Sequence, residues 1–404
     1  MRQKYTVATQ LIPKSPYGFL DVLAGAWTTH AQRLYFKSRM VRLRWKAVIN
    51  NLPSALCIRL IRLRVLLILI VIVLLSKILL GITGTEKEMD MKKEDNKIEA
   101  MMQKSDRSFF GLHIDVRDIV NKKIMKDASI TADDVGVVNP HPYIYMNNPG
   151  HCHFKSDNSR TILIIVKSTV RNVLLRQSIR ITWGNITDES VKVVFMLGRN
   201  SSENFQQDVI NTEAARHKDI VQEDFLDAYF NNTLKSIMSF NWAVQYCEEA
   251  TFLLFLDDDF LIDFPRIRKY IDSIPEADMA TLFMGHRIVQ PVVRDQKSIW
   301  FLPWEVFPFK YWPPYLAGGA YLTSMDVARK FSYAFPYIDI LGIDDAWLGV
   351  VARNLRINPQ DNHFFHNNGK YSHLALVQQC CHTQKQLLET WWQFRHTDFR
   401  FGAP

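Results

Sequence analysis

The chain has 404 residues, 48% of them hydrophobic, and 49 Lys+Arg against 41 Asp+Glu give it a formal charge of +8. That is material for one large domain or two small ones with extensions. The basic surplus suggests nucleic acid only until it is located. Residues 1–64 hold twelve of the Lys/Arg and a single acid, Asp21, which leaves residues 65–404 at −3. With no basic groove motif in that body, nucleic-acid binding is set aside.

In chain order, residues 1–64 read as a basic cytosolic tail, in which Met40 offers a second possible start. Residues 65–82 are apolar apart from Ser76 and Lys77. That is about the length that crosses a hydrocarbon core, with Lys77 near enough to one end to snorkel. Arg59, Arg62 and Arg64 precede the run, and acids mixed with lysines follow it. The positive-inside rule then predicts a single-pass type II anchor with the body in the lumen. Residues 83–150, rich first in Lys, Glu, Asp and Met and then in Asn and Pro, read as a stem. Asn185, Asn200 and Asn231 each open a glycosylation triplet. Cys152, Cys247, Cys380 and Cys381 allow three two-disulfide pairings, and the adjacent Cys380 and Cys381 are expected to take different partners.

The character changes at residue 151. The spacing predicts a strand over 161–167, a helix over 170–183, a strand over 191–198, helices over 204–217 and 229–248, and a strand over 251–256. Strands alternating with helices predict an α/β fold, a parallel sheet with helices on both faces. Ligands of such sheets bind beyond the carboxyl ends of the strands. "FLLFLDDDF" puts Asp257, Asp258 and Asp259 at one such end. Alternation along a strand sends Asp257 and Asp259 to one side and Asp258 to the other. Paired carboxylates suit Mn²⁺ or Mg²⁺, which take oxygen ligands and keep positions open for diphosphate oxygens. The bland reading is a solvated turn or a helix cap.

Asp344 and Asp345 stand before an apolar helical run, where an Asp is commonly an N-cap. The functional reading makes one of them a general base. Between the acidic groups, Gly318 and Gly319 permit close backbone approach. Tyr311, Trp312 and Tyr315 are either a sugar-stacking wall or core.

Four blocks in order carry a family resemblance: "RQSIRITWGN", "EDFLDAYFNNTLKSIMSFNWAVQYC", "FLLFLDDDF", and "PPYLAGGAYLTSMDVA" followed by "IDILGIDDAWLG". Together they resemble the β1,3-glycosyltransferases, which include β1,3-galactosyl- and β1,3-N-acetylglucosaminyltransferases and, more distantly, Fringe. The resemblance implies a GT-A fold in the region 151–404, a UDP-sugar donor with Mn²⁺ (or Mg²⁺), and inverting transfer of a hexose to the 3-hydroxyl of a glycan on protein or lipid. It implies a Golgi membrane enzyme, possible homodimer included among its states. Asp345 is then the base and Asp344 its neighbour. Asp259 and Asp257 hold the metal, with Asp257 and Asp258 also at the nucleotide, and Arg180 and Lys235 reach the diphosphate, unless Arg180 serves only in an ion pair. Tyr315, Gly318, Gly319 and Tyr321 face the acceptor. The family's His stands about eleven residues before a Trp, a position taken here by Cys380 or Cys381. Either His382 serves after a local shift, or carboxylates and diphosphate carry the metal. The displaced His also keeps a rival open, a membrane-anchored glycan-binding protein of the same fold without catalysis.

Overall fold

A computed structural model describes residues 115–125, 136–155, 160–200, 204–367 and 375–396, together with Leu66 and Val71. The chain divides into two units, Met1–Glu88 and Met89–Pro404. In the first only Leu66 and Val71 are described, both helical and exposed. The tail, the rest of the expected span 65–82 and Met40 lie outside the described residues. Among the described residues no helix is long and apolar enough to cross a membrane.

The second unit is built on an eight-stranded sheet. Its centre is β2 (Ile162–Lys167), every residue of which is buried. A strand covered on both faces needs a continuous apolar run rather than an alternating one, and "ILIIVK" supplies it. β3 (Val191–Arg199) and β5 (Phe252–Asp257) pair parallel with β2 on either side, and β4 (Ile220–Leu226) pairs parallel with β3. These four strands form the parallel half of the sheet. Helices α2 (Val173–Ile181), α3 (Asn204–His217) and α4 (Asn232–Tyr246) connect them.

Beyond β5 the sheet changes direction. β8 (Tyr315–Ser324) runs antiparallel to β5, and β7 (Phe283–Ile288) antiparallel to β8. The two-residue β9 (Gln360–Asp361) closes that edge, parallel to β7. The sheet is therefore mixed, with four parallel pairings against three antiparallel ones, which keeps the expected mostly parallel character and adds an antiparallel part beyond β5. A small second sheet stacks β10 (Phe365–His366) on β11 (Val377–Gln379) and β11 on β6 (Phe260–Ile262). The remaining helices are α1 (Val116–Ile124), α5 (Phe264–Asp272), α6 (Met325–Ala334), α7 (Asp344–Asn354) and α8 (Gln384–His396).

Two hydrophobic clusters cover the two faces of the large sheet. One gathers α1, α4, α6 and α7 around Phe240, Phe255, Phe331 and Trp347. The other gathers α2, α5, α8 and the small sheet around Ile179, Leu254, Phe260 and Ile271. The stretch expected as stem contributes to this body. Val116, Ile119 and Val120 of α1 are buried in the first cluster, and β1 (Tyr145–Asn147) pairs antiparallel with β4. Short apolar spacing inside a polar stretch hid that helix from the sequence reading.

The disulfides correct the expected pairing. Cys152 bonds Cys247, and Cys380 bonds Cys381. Cys152 and Cys247 pack with the first cluster, Cys380 and Cys381 with the second, so the sheet itself stands between the two pairs. The backbone N–H groups of Cys380 and Cys381 both donate to the Asp259 carbonyl, at 2.9 and 3.0 Å, which folds the chain tightly at that point.

Candidate active site

The carboxyl ends of β2 and β5 lie side by side, with Lys167 paired in register with Asp257. Two clefts open there. The larger, about 840 Å³, is lined by Lys167, Asp257, Gly318, Gly319, Asp344 and Asp345, and also by His286, His363 and His366. The smaller, about 240 Å³, is lined by Ser168, Asn172, Lys235, Asp257, Asp258, Asp259 and His382. Lys167, Asn232 and Asp257 belong to both.

Lys167 ties the site together, and the sequence reading passed over it. Its ammonium lies 3.1 Å from Asp257 Oδ1 and 3.3 Å from Asp344 Oδ2, and donates to the Gly318 carbonyl at 2.9 Å. The side chain is 6% exposed. Burial works against its charge, but Asp257 and Asp344 outweigh that and hold the ammonium protonated well above the usual lysine range. Burial raises the Asp257 carboxyl, against the pull of Lys167; with 41% of the side chain open to the clefts, solvent screens part of that rise.

The three aspartates of the triplet take three environments. Asp257 faces Lys167. Asp258 is buried and accepts from Ser168 Oγ at 2.6 Å and Asn172 Nδ2 at 2.8 Å. Burial raises its carboxyl, and those two donors oppose the rise. Asp259 accepts from Gln379 Nε2 at 2.9 Å, and the same oxygen lies 3.3 Å from His382 Nδ1. Its other oxygen, Oδ1, is buried with no hydrogen-bond partner. A carboxylate with one oxygen orphaned and the other near an imidazole nitrogen, lining the same cleft as Asp257, fits a hard divalent cation. Among the described residues, no three His, Cys, Asp or Glu side chains gather as a ready-made metal centre. The protein thus offers a partial donor set whose remaining positions would be filled by ligand oxygens.

Asp344 and Asp345 open α7, but neither is its cap, a position held by Ile343. The cap reading therefore does not account for them. Asp345 Oδ1 accepts from the Ala346 N–H at 2.7 Å and Oδ2 from the Gly318 N–H at 3.4 Å. Burial first, then the Asp344 charge, pushes its carboxyl up to about 6. The Ala346 N–H at the helix N-terminus pulls the other way and does not prevail. A carboxylate raised into this range is a usable general base near neutral pH. Gly318 gives Asp345 its room, since a Cβ there would come 3.2 Å from the Asp345 Cβ. At Gly319 a Cβ would come 2.5 Å from the Phe260 ring, so only glycine lets β8 pass the small sheet.

Not all the expected site residues are gathered here. Lys235 lines the smaller cleft, but the residue is 2% exposed and its ammonium is held by Asp227 at 2.8 Å and the Ser168 carbonyl at 2.7 Å. Arg180 is not brought to the site. It ends α2, and a helix following a parallel strand returns toward the amino edge of the sheet, away from the ligand end. There Arg180 pairs with Asp219 at 2.7 Å and Glu213 at 2.8 Å. Tyr321 is 1% exposed, stacks on Phe255 at 4.6 Å and packs behind the site. Tyr315 lines the larger cleft with its hydroxyl accepting from Gln290. Tyr315 and Trp312 are 3% and 4% exposed, so core packing claims them rather than an open stacking wall. Asn185 is exposed, Asn200 and Asn231 are half-buried, and the Asn231 amide donates to the Leu226 carbonyl.

Residues 175–363 match the family model described as Galactosyltransferase. A lactosylceramide 1,3-N-acetyl-β-D-glucosaminyltransferase A of Xenopus laevis is 35% identical over 56% of this chain and 63% of its own length. Its namesake in Danio rerio is 31% identical over 63% of this chain and 68% of its own length. A β1,3-galactosyltransferase of Drosophila melanogaster is 34% identical over 52% of this chain and 66% of its own length. Across the first relatives, such as those of Xenopus laevis and Homo sapiens, the match spans about 60% of their length (63% and 58%). Among solved structures, a glycosyltransferase involved in glycosylating the major capsid of PBCV-1 aligns over 58% of this chain and 99% of its own, at 12% identity and a TM-score of 0.31, too low to add to the argument. With the ordered motifs, the matched central region and relatives above 30% identity in agreement, the chain belongs to the Galactosyltransferase family.

Proposed function

We propose that this protein is an inverting β1,3-glycosyltransferase that moves a hexose from a UDP-sugar to the 3-hydroxyl of a glycan acceptor. The observation that carries the reading is the junction of the two clefts at Lys167 and Asp257, with Asp345 and Asp344, the latter bound to Lys167, in the larger cleft only. The smaller cleft suits the nucleotide diphosphate and the larger suits the transferred sugar and its acceptor. In the reaction the acceptor 3-oxygen forms a bond to the anomeric carbon as the bond from that carbon to the diphosphate oxygen breaks. Asp345 takes the hydroxyl proton, and UDP leaves with the electron pair. Lys167 fixes the backbone carbonyl of Gly318 and the carboxylate of Asp344, so that Asp345 is held beside a partner that cannot swing away. Asp259 and His382, with Asp257 adjacent, would hold Mn²⁺, which when bound supplies charge stabilisation at the leaving diphosphate.

The relatives named for lactosylceramide make a lactosyl terminus the first acceptor to try. We place the catalytic body in the Golgi lumen behind a type II anchor. The basic tail, the apolar run 65–82, the exposed Asn185 triplet and the two disulfides support that orientation. The test is a panel of UDP-galactose, UDP-N-acetylglucosamine and UDP-N-acetylgalactosamine against methyl β-lactoside and methyl β-N-acetylglucosaminide, with Mn²⁺ or with EDTA. Transfer in one combination, lost in EDTA, is expected. A full-length chain that binds these glycosides but releases no UDP with any donor would favour the non-catalytic rival.

A further inference from the structure

Of the three aromatics read as either a stacking wall or core, Trp312 and Tyr315 are buried and Tyr311 is half-buried, yet the cleft mouth is aromatic all the same. Trp300, from the long connection between β7 and β8, and Tyr229, from the turn before α4, both line the larger cleft. They are 49% and 52% exposed. The Trp300 indole N–H donates to the Tyr229 hydroxyl at 2.7 Å, across 71 residues of chain. Tyr229 meets the edge of Phe230 at 5.6 Å and 85°. Phe230 in turn lies over Gly342, where a Cβ would find its ring 3.5 Å away. Gly342 is itself part of the cleft wall that leads to Asp344 and Asp345.

We infer that Trp300 and Tyr229 form the platform on which a pyranose ring of the acceptor glycan stacks. The polar edges of the two side chains are satisfied by each other, which leaves two large faces for apolar contact. Among the described residues no ring or cation covers Trp300, whereas the nearby Trp304 carries the Arg294 guanidinium 3.9 Å above its ring. One side of a pyranose presents aliphatic C–H groups of slight positive charge, which match the negative face of an aromatic ring. A paired, hydrogen-bonded platform is also fixed before the ligand arrives, so that less side-chain entropy is lost on binding. Continuity with the cleft that holds Asp345 selects a sugar over a lipid surface as the occupant. The inference rests on the transferase reading and goes further by naming where the acceptor lies.

The experiment uses the full-length enzyme and the donor that the panel selects, with methyl β-lactoside as the first acceptor. Trp300→Ala should raise the acceptor KM about tenfold or more, the scale of one lost aromatic contact with its burial. The donor KM should stay within about twofold, since the donor cleft does not include Trp300. Trp300→Phe, which keeps a stacking face but loses the N–H, should recover most of the acceptor affinity. An unchanged acceptor KM in Trp300→Ala overturns the platform and leaves the transferase reading intact. Equal losses in the Ala and Phe variants overturn it too, because the hydrogen bond and not the face would then matter. Loss confined to lactosylceramide in vesicles, with methyl β-lactoside unaffected, would make the patch a membrane contact and overturn it as well. If the wild-type enzyme turns over no donor and acceptor pair, the transferase reading itself fails and takes the platform with it.

Discussion

Replacing Lys167 by methionine keeps the length and apolar stem of the side chain and removes only the charge. The ammonium now serves two carboxylates, Asp257 at 3.1 Å and Asp344 at 3.3 Å, and one carbonyl, Gly318 at 2.9 Å, from a site 6% exposed. Removing one partner of a buried pair costs about 3–5 kcal/mol, because the other charge is left uncompensated. Asp257 opens partly to the clefts, so the lower end, about 3 kcal/mol, is expected. For a body of this size that lowers Tm by roughly 6–12 °C. The sign with pH follows from the carboxylates. Above the titration range of Asp257 the variant buries negative charge without its cation. As pH falls and the raised Asp257 carboxyl takes a proton, that charge disappears and the penalty shrinks. Urea unfolding of both proteins at pH 8 and pH 5 measures this, and the gap should be clearly smaller at pH 5. Lys167 also pulls the Asp345 carboxyl down, so the acidic limb of the activity profile should move to higher pH in the variant. An equal loss of stability at both pH values would refute the electrostatic reasoning and assign the cost to packing.

Three further outcomes follow from the same geometry. Asp344→Asn removes the like charge that helps raise Asp345, so the acidic limb of kcat/KM should shift to lower pH than in the wild type. A profile that stays in place would remove that coupling. Gly318→Ala brings a Cβ to 3.2 Å from the Asp345 Cβ and should cut kcat roughly 10–100-fold through displacement of the base, with Tm little changed. Wild-type turnover would show that Asp345 tolerates the push. Arg180→Ala breaks the pairs to Asp219 and Glu213 and should cost about 3 kcal/mol of stability without raising the donor KM. A rise in donor KM would return Arg180 to the nucleotide side.

How much was legible in the sequence depended on the kind of signal. The buried strands announced themselves, because runs such as "ILIIVK" and "FLLFLD" suit only a strand covered on both faces. Asp257, Asp258 and Asp259 followed from the rule that ligands meet the carboxyl ends of such strands. Lys167 obeys the same rule, one strand away, but a lysine closing an apolar run looks like the point where the chain meets water. The direction of β8 was not legible: its Gly- and Ala-containing apolar run does not say which neighbour it joins, so the antiparallel half of the sheet was missed. Arg180 was misplaced because a motif gives no sense of which end of a helix faces the ligand. The pairing of Cys380 with Cys381 depended on the sheet separating them from Cys152 and Cys247, a barrier that no spacing reveals. The choice between wall and core was left open in the sequence for a related reason. Trp300 and Trp312 are equally aromatic in the sequence, and only packing decides that one is 49% and the other 4% exposed.

The most direct test is the structure of the product. Wild-type enzyme and Asp345→Asn are incubated with Mn²⁺, the selected UDP-sugar and methyl β-lactoside, and the new glycosidic bond is read by NMR. The account predicts a β-linked sugar on a 3-hydroxyl from the wild type. It predicts none from Asp345→Asn, which should still bind UDP because the smaller cleft, proposed for the diphosphate, does not include Asp345. An α-linked product, or normal turnover by Asp345→Asn, would contradict it.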